Sequence, residues 1–253
     1  MSDTHVSVER REGVQILRLT RPEKKNALTD AMYNALADAM VAAEADDAIG
    51  AHLFASFQGV FTAGNDIADF LAQATGGGPQ GLRGVMRFLE AQAQAEKPMV
   101  AAVDGLAIGI GTTLMFQCDM AFASPEAYFK APFIDLGLVP ENASSLLAPR
   151  IMGHARAFEL LCLGEGFSAE RALQAGFVNA VVPSAELDAH AFGVAARLAA
   201  KPREAMKLSR ALLRGAPDER LAVMRREGAL FAERLQSEEA RAAFMAFMSR
   251  KAG

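Results

Sequence analysis

The first two thirds of the chain alternate short apolar runs with longer segments of helical periodicity. Residues 51–56 and 99–103 are mainly apolar, which predicts buried strands. Residues 6–19 contain two short strand patterns separated by a glycine, which predicts a hairpin. The apolar positions of residues 29–43 recur at helical spacing, and Thr29 is a typical N-cap. Further predicted elements are strands at 120–124 and 127–130 and a helix at 82–95. This order predicts an α/β core.

Helical periodicity dominates the last third of the chain. It extends over residues 185–250, with breaks at Pro202 and near residues 215–217. Beyond residue 146, only residues 176–182 predict a strand. The apolar residues of this tail can pack on the chain's own core or form a subunit interface, and the pattern favours neither. They are Leu221, Met224, Leu230, Phe231, Leu235, Phe244, Met245, Phe247 and Met248.

Composition and charge exclude several classes of protein. Of 253 residues, 51% are hydrophobic and 22% are charged, which indicates a folded chain with a large core. The net charge of −4 provides no basic field for a nucleic acid. No apolar run is long enough for a membrane span, and the N-terminus lacks a signal-peptide pattern. We therefore expect a cytoplasmic protein that binds neither a membrane nor a nucleic acid.

Histidine and cysteine usage gives no sign of a metal site. The four histidines lie singly along the chain, without the spacing of metal ligands. Cys118 and Cys162 lie in apolar surroundings, which favours reduced thiols over a disulfide. We expect no bound metal.

Two glycine-containing turns are the strongest chemical signal. Residues 61–67 and 103–114 each lead from an apolar strand through a turn into a predicted helix. Such turns leave main-chain N–H groups free at a helix N-terminus, where the helix dipole favours negative charge. Two of them can direct one N–H each at a single oxygen, which makes an oxyanion hole. Either turn alone is better explained by close packing of a helix on a sheet. The second turn is not a dinucleotide fingerprint, because Leu114 replaces its third glycine.

Five segments, taken in order along the chain, resemble the crotonase or enoyl-CoA hydratase/isomerase superfamily. They are residues 21–28, 61–67, 103–118, 129–140 and 167–178. Together they extend over nearly the whole chain.

The resemblance implies a fold and a mode of assembly. It implies an α/β core of repeated ββα units, a spiral of the ClpP/crotonase type, over residues 1–195. Residues 196–253 would form a helical C-terminal region used for trimerisation. A homotrimer or a dimer of trimers is the expected assembly.

The resemblance also implies an acyl-CoA site. In this superfamily a thioester carbonyl lies between two main-chain N–H groups, which by position belong here to Asn65 and Ile110. Coenzyme A is part of the substrate, so no separate cofactor is expected. The residues expected to bind coenzyme A are Lys24, Lys25, Ala27, Ala63, Gly64, Asp66 and Ile67. The residues expected to line the acyl pocket are Phe70, Leu71, Phe133 and Leu138. The lysines can equally be solvated, Asp66 can cap a helix, and the pocket residues can be core.

The carboxylates decide which reaction is expected. Hydratases of this superfamily carry two glutamates, and the matching positions here are Thr113 and Phe133. An acid appears instead at Glu141, where the segment resembles Δ3,Δ2-enoyl-CoA isomerases, whose catalytic glutamate has this place. A single carboxyl suffices to move one proton between two carbons of a 3-enoyl thioester. Phe133 and Ile110 would keep water out and raise the pKa of that carboxyl.

Three alternatives stay open from the sequence. Glu141 can be an ordinary acid in the first turn of a helix. The chain can be a hydratase, a lyase that uses Glu141 and a water in an atypical arrangement. It can also be an acyl-CoA-binding member without catalytic activity.

Overall fold

Two β-sheets lie at the centre of the computed structural model, which describes residues 5–57, 59–67 and 83–251. In chain order the strands are β1 (Val6–Arg11), β2 (Val14–Leu19), β3 (Ala51–Ser56), β4 (Val60–Thr62), β5 (Met99–Val103), β6 (Leu106–Ile108), β7 (Met120–Ala123), β8 (Tyr128–Lys130), β9 (Phe167–Ser168) and β10 (Ala180–Val181). Within the described ranges, the larger sheet has the order β1-β2-β3-β5-β7-β10 and the smaller has β4-β6-β8-β9.

Helices connect the strands and form the C-terminal region. In chain order they are α1 (Asp30–Glu44), α2 (Arg83–Gln94), α3 (Ile110–Gln117), α4 (Ser144–Met152), α5 (His154–Phe158), α6 (Ala169–Ala175), α7 (Ser184–Ala199), α8 (Arg203–Arg214), α9 (Pro217–Leu235) and α10 (Glu238–Lys251). Short 3₁₀ helices occupy Pro22–Lys24 and Ile134–Leu136, and a π-helical turn occupies Glu159–Leu163. In the described part of the chain, no helix is long and apolar enough to cross a membrane.

The strands alternate between the two sheets and so build a spiral. β3, β5 and β7 lie side by side and parallel in the larger sheet. The strand after each of them, β4, β6 and β8, lies in the smaller sheet, again in parallel. This confirms the predicted ββα repeats. The strand β6 lies within residues 103–114, for which the sequence predicts only a glycine-rich turn. The strand predicted at 176–182 is shorter, because left-handed Gly176 begins a turn that lasts until β10.

Alternate residues of the larger sheet face two different apolar layers, which explains the mainly apolar strands. Ile16 and Leu53 pack in the layer under α7. Their neighbours Leu17 and Phe54 face the main core. The helix α1 begins as predicted, because the Thr29 hydroxyl accepts the N–H of Met32 at 3.3 Å.

The C-terminal helices begin and end close to the predicted breaks. Breaks at Pro202 and at 215–217 are confirmed, and the gap between α9 and α10 adds one that the sequence did not predict. The predicted boundary between 195 and 196 falls inside α7, and the division into two regions stays a prediction.

The apolar residues of the C-terminal tail divide between buried and exposed positions. Leu221, Met224, Phe231, Leu235 and Phe244 are buried, whereas Leu230, Met245 and Phe247 are exposed. Both cysteines are free thiols, as predicted.

Asp119 joins the helical C-terminal region to the core. Its carboxylate accepts hydrogen bonds from Arg210 at 2.8 Å and from Arg214 at 3.1 Å, both on α8. It also accepts the N–H of Met99 at 2.8 Å, at the start of β5. The side chain of Arg210 is only 7% exposed. Removing the carboxylate would therefore leave a buried cation without its counter-charge.

We expect Asp119→Ala to lower the free energy of unfolding by roughly 3–5 kcal/mol, because it breaks a buried ion pair from one side. Asp38 provides a control, because it pairs with Arg87 across a surface where both side chains are at least half exposed. Asp38→Ala should cost less than about 1 kcal/mol. Chemical denaturation of both variants against the parent chain measures the difference. Equal losses in the two variants would contradict the role of Asp119.

Candidate active site

The two glycine-containing turns lie against each other because the strands before them are paired. β4 and β6 are parallel neighbours, so their carboxyl ends lie at the same edge of the smaller sheet. A Cβ added at Gly64 would lie 3.0 Å from the carbonyl oxygen of Ile108. One added at Gly111 would lie 2.5 Å from the side chain of Thr62. The approach of the two turns therefore requires glycine at both positions.

Each turn presents one main-chain N–H that was predicted to face a thioester oxygen. Ile110 is the first residue of α3, where an N–H has no partner inside the helix. Asn65 forms a parallel bridge with Leu28 that uses the N–H groups of Leu28 and Asp66. The N–H of Asn65 therefore points away from that bridge. Within the described ranges, neither N–H has a hydrogen-bond partner. The structure thus brings together both turns that carry the predicted oxyanion hole.

The predicted coenzyme A segments are also brought together. The N–H of Ala63 donates to the carbonyl of Lys25 at 2.9 Å. The N–H of Leu28 donates to the carbonyl of Gly64 at 2.8 Å. Lys24 and Lys25 are exposed beside this junction, so their ammonium groups are available to an anion. Their part in binding coenzyme A stays a prediction, as does that of the partly buried Ala27 and Ile67.

Two polar residues that the sequence reading did not single out hold this junction. Buried Asn26 accepts the N–H of Arg21 at 2.8 Å and donates to the carbonyl of Val60 at 2.8 Å. Arg21 also pairs with Asp66 at 2.6 Å. Arg21 belongs to the family-like segment 21–28 and Asp66 to the segment 61–67. Their opposite charges were the only sign of this ion pair in the sequence. Asp66, predicted to contact coenzyme A or to cap a helix, therefore links the two segments.

Glu141 faces the first of the two hydratase positions. Its Oε1 lies 2.5 Å from the hydroxyl of Thr113, which donates to it from α3. The side chain is partly buried rather than turned out into solvent. The helix α4 begins only at Ser144, so Glu141 is not in the first turn of that helix. The carboxyl that could have been a simple helix-start acid is thus directed at the candidate site.

The surroundings of Glu141 favour its protonated form. The pKa of this carboxyl is raised to about 8, mainly by its removal from water and in smaller part by the negative charge of Glu227. The hydrogen bond from Thr113 acts in the opposite direction, because it stabilises the carboxylate. A group with a pKa near neutrality can both accept and return a proton.

Tyr33 contacts the turn that carries the predicted hole and is close enough to Glu141 to sense its charge. Its buried hydroxyl on α1 donates a hydrogen bond to the side-chain oxygen of Asn65. Burial raises the pKa of Tyr33 well above its usual value, and the charge of Glu141 adds to the effect. Tyr33 is therefore a neutral donor that fixes the turn at Asn65. In the sequence it is one of several apolar positions of α1, and nothing separated it from the core.

A small apolar cavity of about 20 Å³ lies behind the second turn. Ile110, Leu28 and Phe88 are among its lining residues. The acyl-pocket residues Phe133 and Leu138 are buried but do not line it, and the ring of Phe133 packs edge-on against Phe231. Phe70 and Leu71 lie outside the described residues. The acyl pocket therefore stays a prediction.

Candidate metal ligands do not cluster in the part of the chain that the structure describes. No group of three or more His, Cys, Asp or Glu side chains there could hold a metal ion.

Replacing Thr113 should change the proton affinity of Glu141 without requiring turnover. We expect Thr113→Val to raise the pKa of Glu141, because the carboxylate loses its hydroxyl donor. Thr113→Ser keeps the donor and should leave the pKa near its original value. Infrared titration of the protonated carboxyl band, assigned by its loss in Glu141→Gln, follows both variants. A pKa in Thr113→Val that is equal to the parent's, or lower, would contradict the contact.

Comparison with known proteins gives one consistent result. The enoyl-CoA hydratase/isomerase family model matches residues 9–252. The chain is 32% identical over 243 residues to enoyl-CoA delta isomerase 2 of Rattus norvegicus, which covers 94% of this chain and 62% of that relative. It thus spans less than two thirds of that relative's length. It is also 32% identical over 259 residues to a probable enoyl-CoA hydratase of Rhizobium meliloti, covering 99% and 97% of the two chains.

A solved structure agrees over the full fold. The crystal structure of an enoyl-CoA hydratase/isomerase from Pseudoalteromonas atlantica T6c matches with a TM-score of 0.91 and 41% identity, over 97% of each chain. The resemblance to the crotonase superfamily is confirmed, as is the α/β fold. This chain belongs to the enoyl-CoA hydratase/isomerase family, an enzyme family that acts on acyl-CoA thioesters.

Proposed function

We propose that the protein moves the double bond of a 3-enoyl-CoA to give the 2-enoyl-CoA, with Glu141 as the acid and base. The observation that carries this proposal is the contact between the Glu141 carboxyl and Thr113 at 2.5 Å. A hydroxyl thus occupies the place of one hydratase glutamate and touches the carboxyl that is present. Phe133 occupies the place of the other hydratase glutamate and is buried. One carboxyl is therefore available for the work that hydration divides between two.

In the proposed reaction a single proton moves from one carbon to another. The Glu141 carboxylate removes a proton from the α-carbon of the thioester, and the electron pair spreads over the carbonyl and the double bond. The N–H groups of Asn65 and Ile110 stabilise the negative charge on the thioester oxygen; losing one such donor typically costs roughly 3–4 kcal/mol of barrier. The protonated Glu141 then returns the proton to the γ-carbon. The carboxylate is regenerated, and no water is consumed.

The proposed base is tuned for both steps. With a pKa of about 8, roughly one-tenth of the Glu141 side chains are ionised at pH 7. The ionised form is a stronger base than an ordinary carboxylate because it is removed from water. The neutral form is the one that must deliver the proton to the γ-carbon.

Hydration is the second candidate, since a relative at the same identity is described as a probable hydratase. The observation in its favour is that the Glu141 carboxyl and the Thr113 hydroxyl lie side by side, so that both could contact one water at the site. Against it, a buried phenylalanine replaces the second acid. Acyl-CoA binding without turnover is the third possibility, and the same assays decide among the three.

We also propose that the helical C-terminal region mediates self-association, as a trimer or a dimer of trimers. The α8 helix supports this, because Leu208, Leu212 and Leu213 are 54%, 87% and 89% exposed. Apolar side chains this exposed on one helix are typical of a surface that another subunit covers.

Removing the carboxyl of Glu141 tests the proposed role directly. We expect Glu141→Gln to lower kcat for 3-enoyl-CoA isomerisation by roughly 10²–10⁴-fold, because no other group relays the proton. The affinity for acyl-CoA, measured by calorimetry, should be retained. Glu126→Gln is a matched control, since Glu126 is exposed and outside the candidate site. Turnover in Glu141→Gln close to that of the control would reject the proposed role.

The products identify the reaction. Deuterium placed at the α-carbon of a 3-enoyl-CoA should be transferred to the γ-carbon of the product, because Glu141 carries the same hydrogen between the two carbons. Crotonyl-CoA should not yield 3-hydroxyacyl-CoA at a comparable rate. Rapid hydration instead would favour the lyase, and binding without turnover on a panel of enoyl-CoAs would favour a non-catalytic protein.

The pH dependence follows from the raised pKa of the base. Only ionised Glu141 can start the reaction, so kcat/KM should rise with pH and level off above the pKa of about 8. A steady-state profile between about pH 5.5 and 9.5 measures the midpoint. A profile that is flat across pH 7 to 9 would show that the rate does not depend on a carboxyl with this pKa.

A further inference from the structure

The main chain directly after Glu141 has an unfavourable conformation. Asn142 and Ala143 have φ values of 61° and 56°, in the left-handed region that residues with a Cβ rarely adopt. Both residues are fully buried. Two consecutive left-handed residues persist only where neighbouring groups hold them, and such conformations are frequent at functional sites. Side chains from other elements hold this segment, residues 141–143, on two sides.

Neutral side chains hold one side of the segment. Gln117 on α3 donates to the carbonyl of Asn142 at 2.8 Å. The Asn142 amide donates to Gln92 on α2 at 3.3 Å, so it points away from Glu141. These two contacts fix Asn142 but leave the N–H groups that follow it to another partner.

A carboxylate from the C-terminal region holds the other side. One oxygen of Glu227, on α9, accepts the N–H of Ala143 at 2.7 Å. The other accepts the N–H of Ser145 at 3.0 Å and the Ser145 hydroxyl at 2.5 Å. Ala143 is the N-cap of α4 and has no side-chain oxygen to accept these N–H groups. Glu227 supplies that acceptor from a distant part of the chain and is itself buried.

Glu227 is also the charged neighbour of the proposed base. Two titratable side chains from other elements are coupled to Glu141, namely Tyr33 on α1 and Glu227 on α9. Tyr33 stays neutral, because its pKa is raised well above the usual value. The pKa of Glu227 is raised overall, because burial outweighs the donors on both of its oxygens, which favour the ionised form. When Glu227 is ionised, its negative charge makes Glu141 harder to ionise.

We propose that Glu227 is a positioning residue for the reaction: it fixes the main chain that carries Glu141 and sets a second negative charge beside it. This inference rests on the proposed function, since it takes Glu141 as the base. It extends the candidate site into the C-terminal helical region, because Glu227 on α9 supplies the acceptor oxygens for the N–H groups of Ala143 and Ser145.

The variant Glu227→Gln removes the charge and one of the two acceptor oxygens. We expect kcat to fall by roughly ten- to a hundred-fold, because a displaced base loses its alignment with the substrate. KM should change less than about threefold, since neither turn that binds the thioester is altered. The acid limb of the pH profile should move to lower pH, because Glu141 loses a negative neighbour. A change in fold stability alone would not produce that shift.

A control on the same helix separates this effect from general damage. Glu233 is exposed on α9, and Glu233→Gln should retain the parent's kcat and pH profile. Glu227→Asp keeps the charge but is one methylene too short to reach both N–H groups. It should lower kcat while leaving the acid limb near its original pH, and it replaces Glu227→Gln as the test if that variant does not fold.

The outcomes distinguish this inference from the proposed function. If Glu141→Gln is inactive but Glu227→Gln keeps the parent's kcat or its pH midpoint, the positioning role is overturned while the base stands. A parent kcat in Glu227→Asp overturns it as well. If Glu141→Gln itself retains turnover, the proposed function fails whatever Glu227 does.

Discussion

The parallel pairing of β4 with β6 is the constraint on which the candidate site depends. Because the two strands are neighbours, the turns that follow them begin at the same edge of the sheet. Glycine at positions 64 and 111 lets these turns approach, because a Cβ would meet the carbonyl oxygen of Ile108 at the first position and the side chain of Thr62 at the second. The N–H groups of Asn65 and Ile110 are then placed by the main chain, and the Tyr33 hydroxyl holds the side chain of Asn65. A family built in this way can change its acids and bases and keep its oxyanion hole.

Both sides of the site use the same backbone device. Lys25 and Asn26 are consecutive left-handed residues in the predicted coenzyme A loop, and Asn142 and Ala143 follow the proposed base. Each such residue costs roughly 1–2 kcal/mol relative to an ordinary conformation. Buried hydrogen bonds offset this cost, from the Asn26 amide on one side and from Glu227 on the other. The strain thus lies where the groups must be aligned, and hydrogen bonds between each strained segment and a distant part of the chain hold it.

The sequence predicted what is local and missed what is brought together from a distance. Short sequence patterns with direct physical causes predicted four features: the Thr29 cap, the N-terminal hairpin, the helix breaks and both glycine turns. Glu141 stood out because its neighbours matched a known arrangement. Tyr33 could not stand out, since it lies on the buried side of α1, where periodicity predicts only core. Glu227 lies between Met224 and Phe231 on the buried side of α9, so a charge on an apolar face was the available signal, but that pattern does not identify its partner. Their roles arise from contacts with Asn65 and Ala143, which no spacing along the chain reveals.

Burial and a neighbouring charge together explain how one carboxyl could serve both halves of the proposed reaction. An exposed carboxylate would be too weak a base to take a proton from carbon, and it would lose that proton to solvent. Burial of Glu141 strengthens the base, and the charge of Glu227 keeps the proton on it. The Thr113 hydroxyl limits the shift by stabilising the carboxylate, so that the ionised form stays accessible near neutral pH. A hydratase divides these tasks between two acids. With Phe133 in place of the second acid, the proposed reaction has Glu141 as the carrier of the proton from the α-carbon to the γ-carbon.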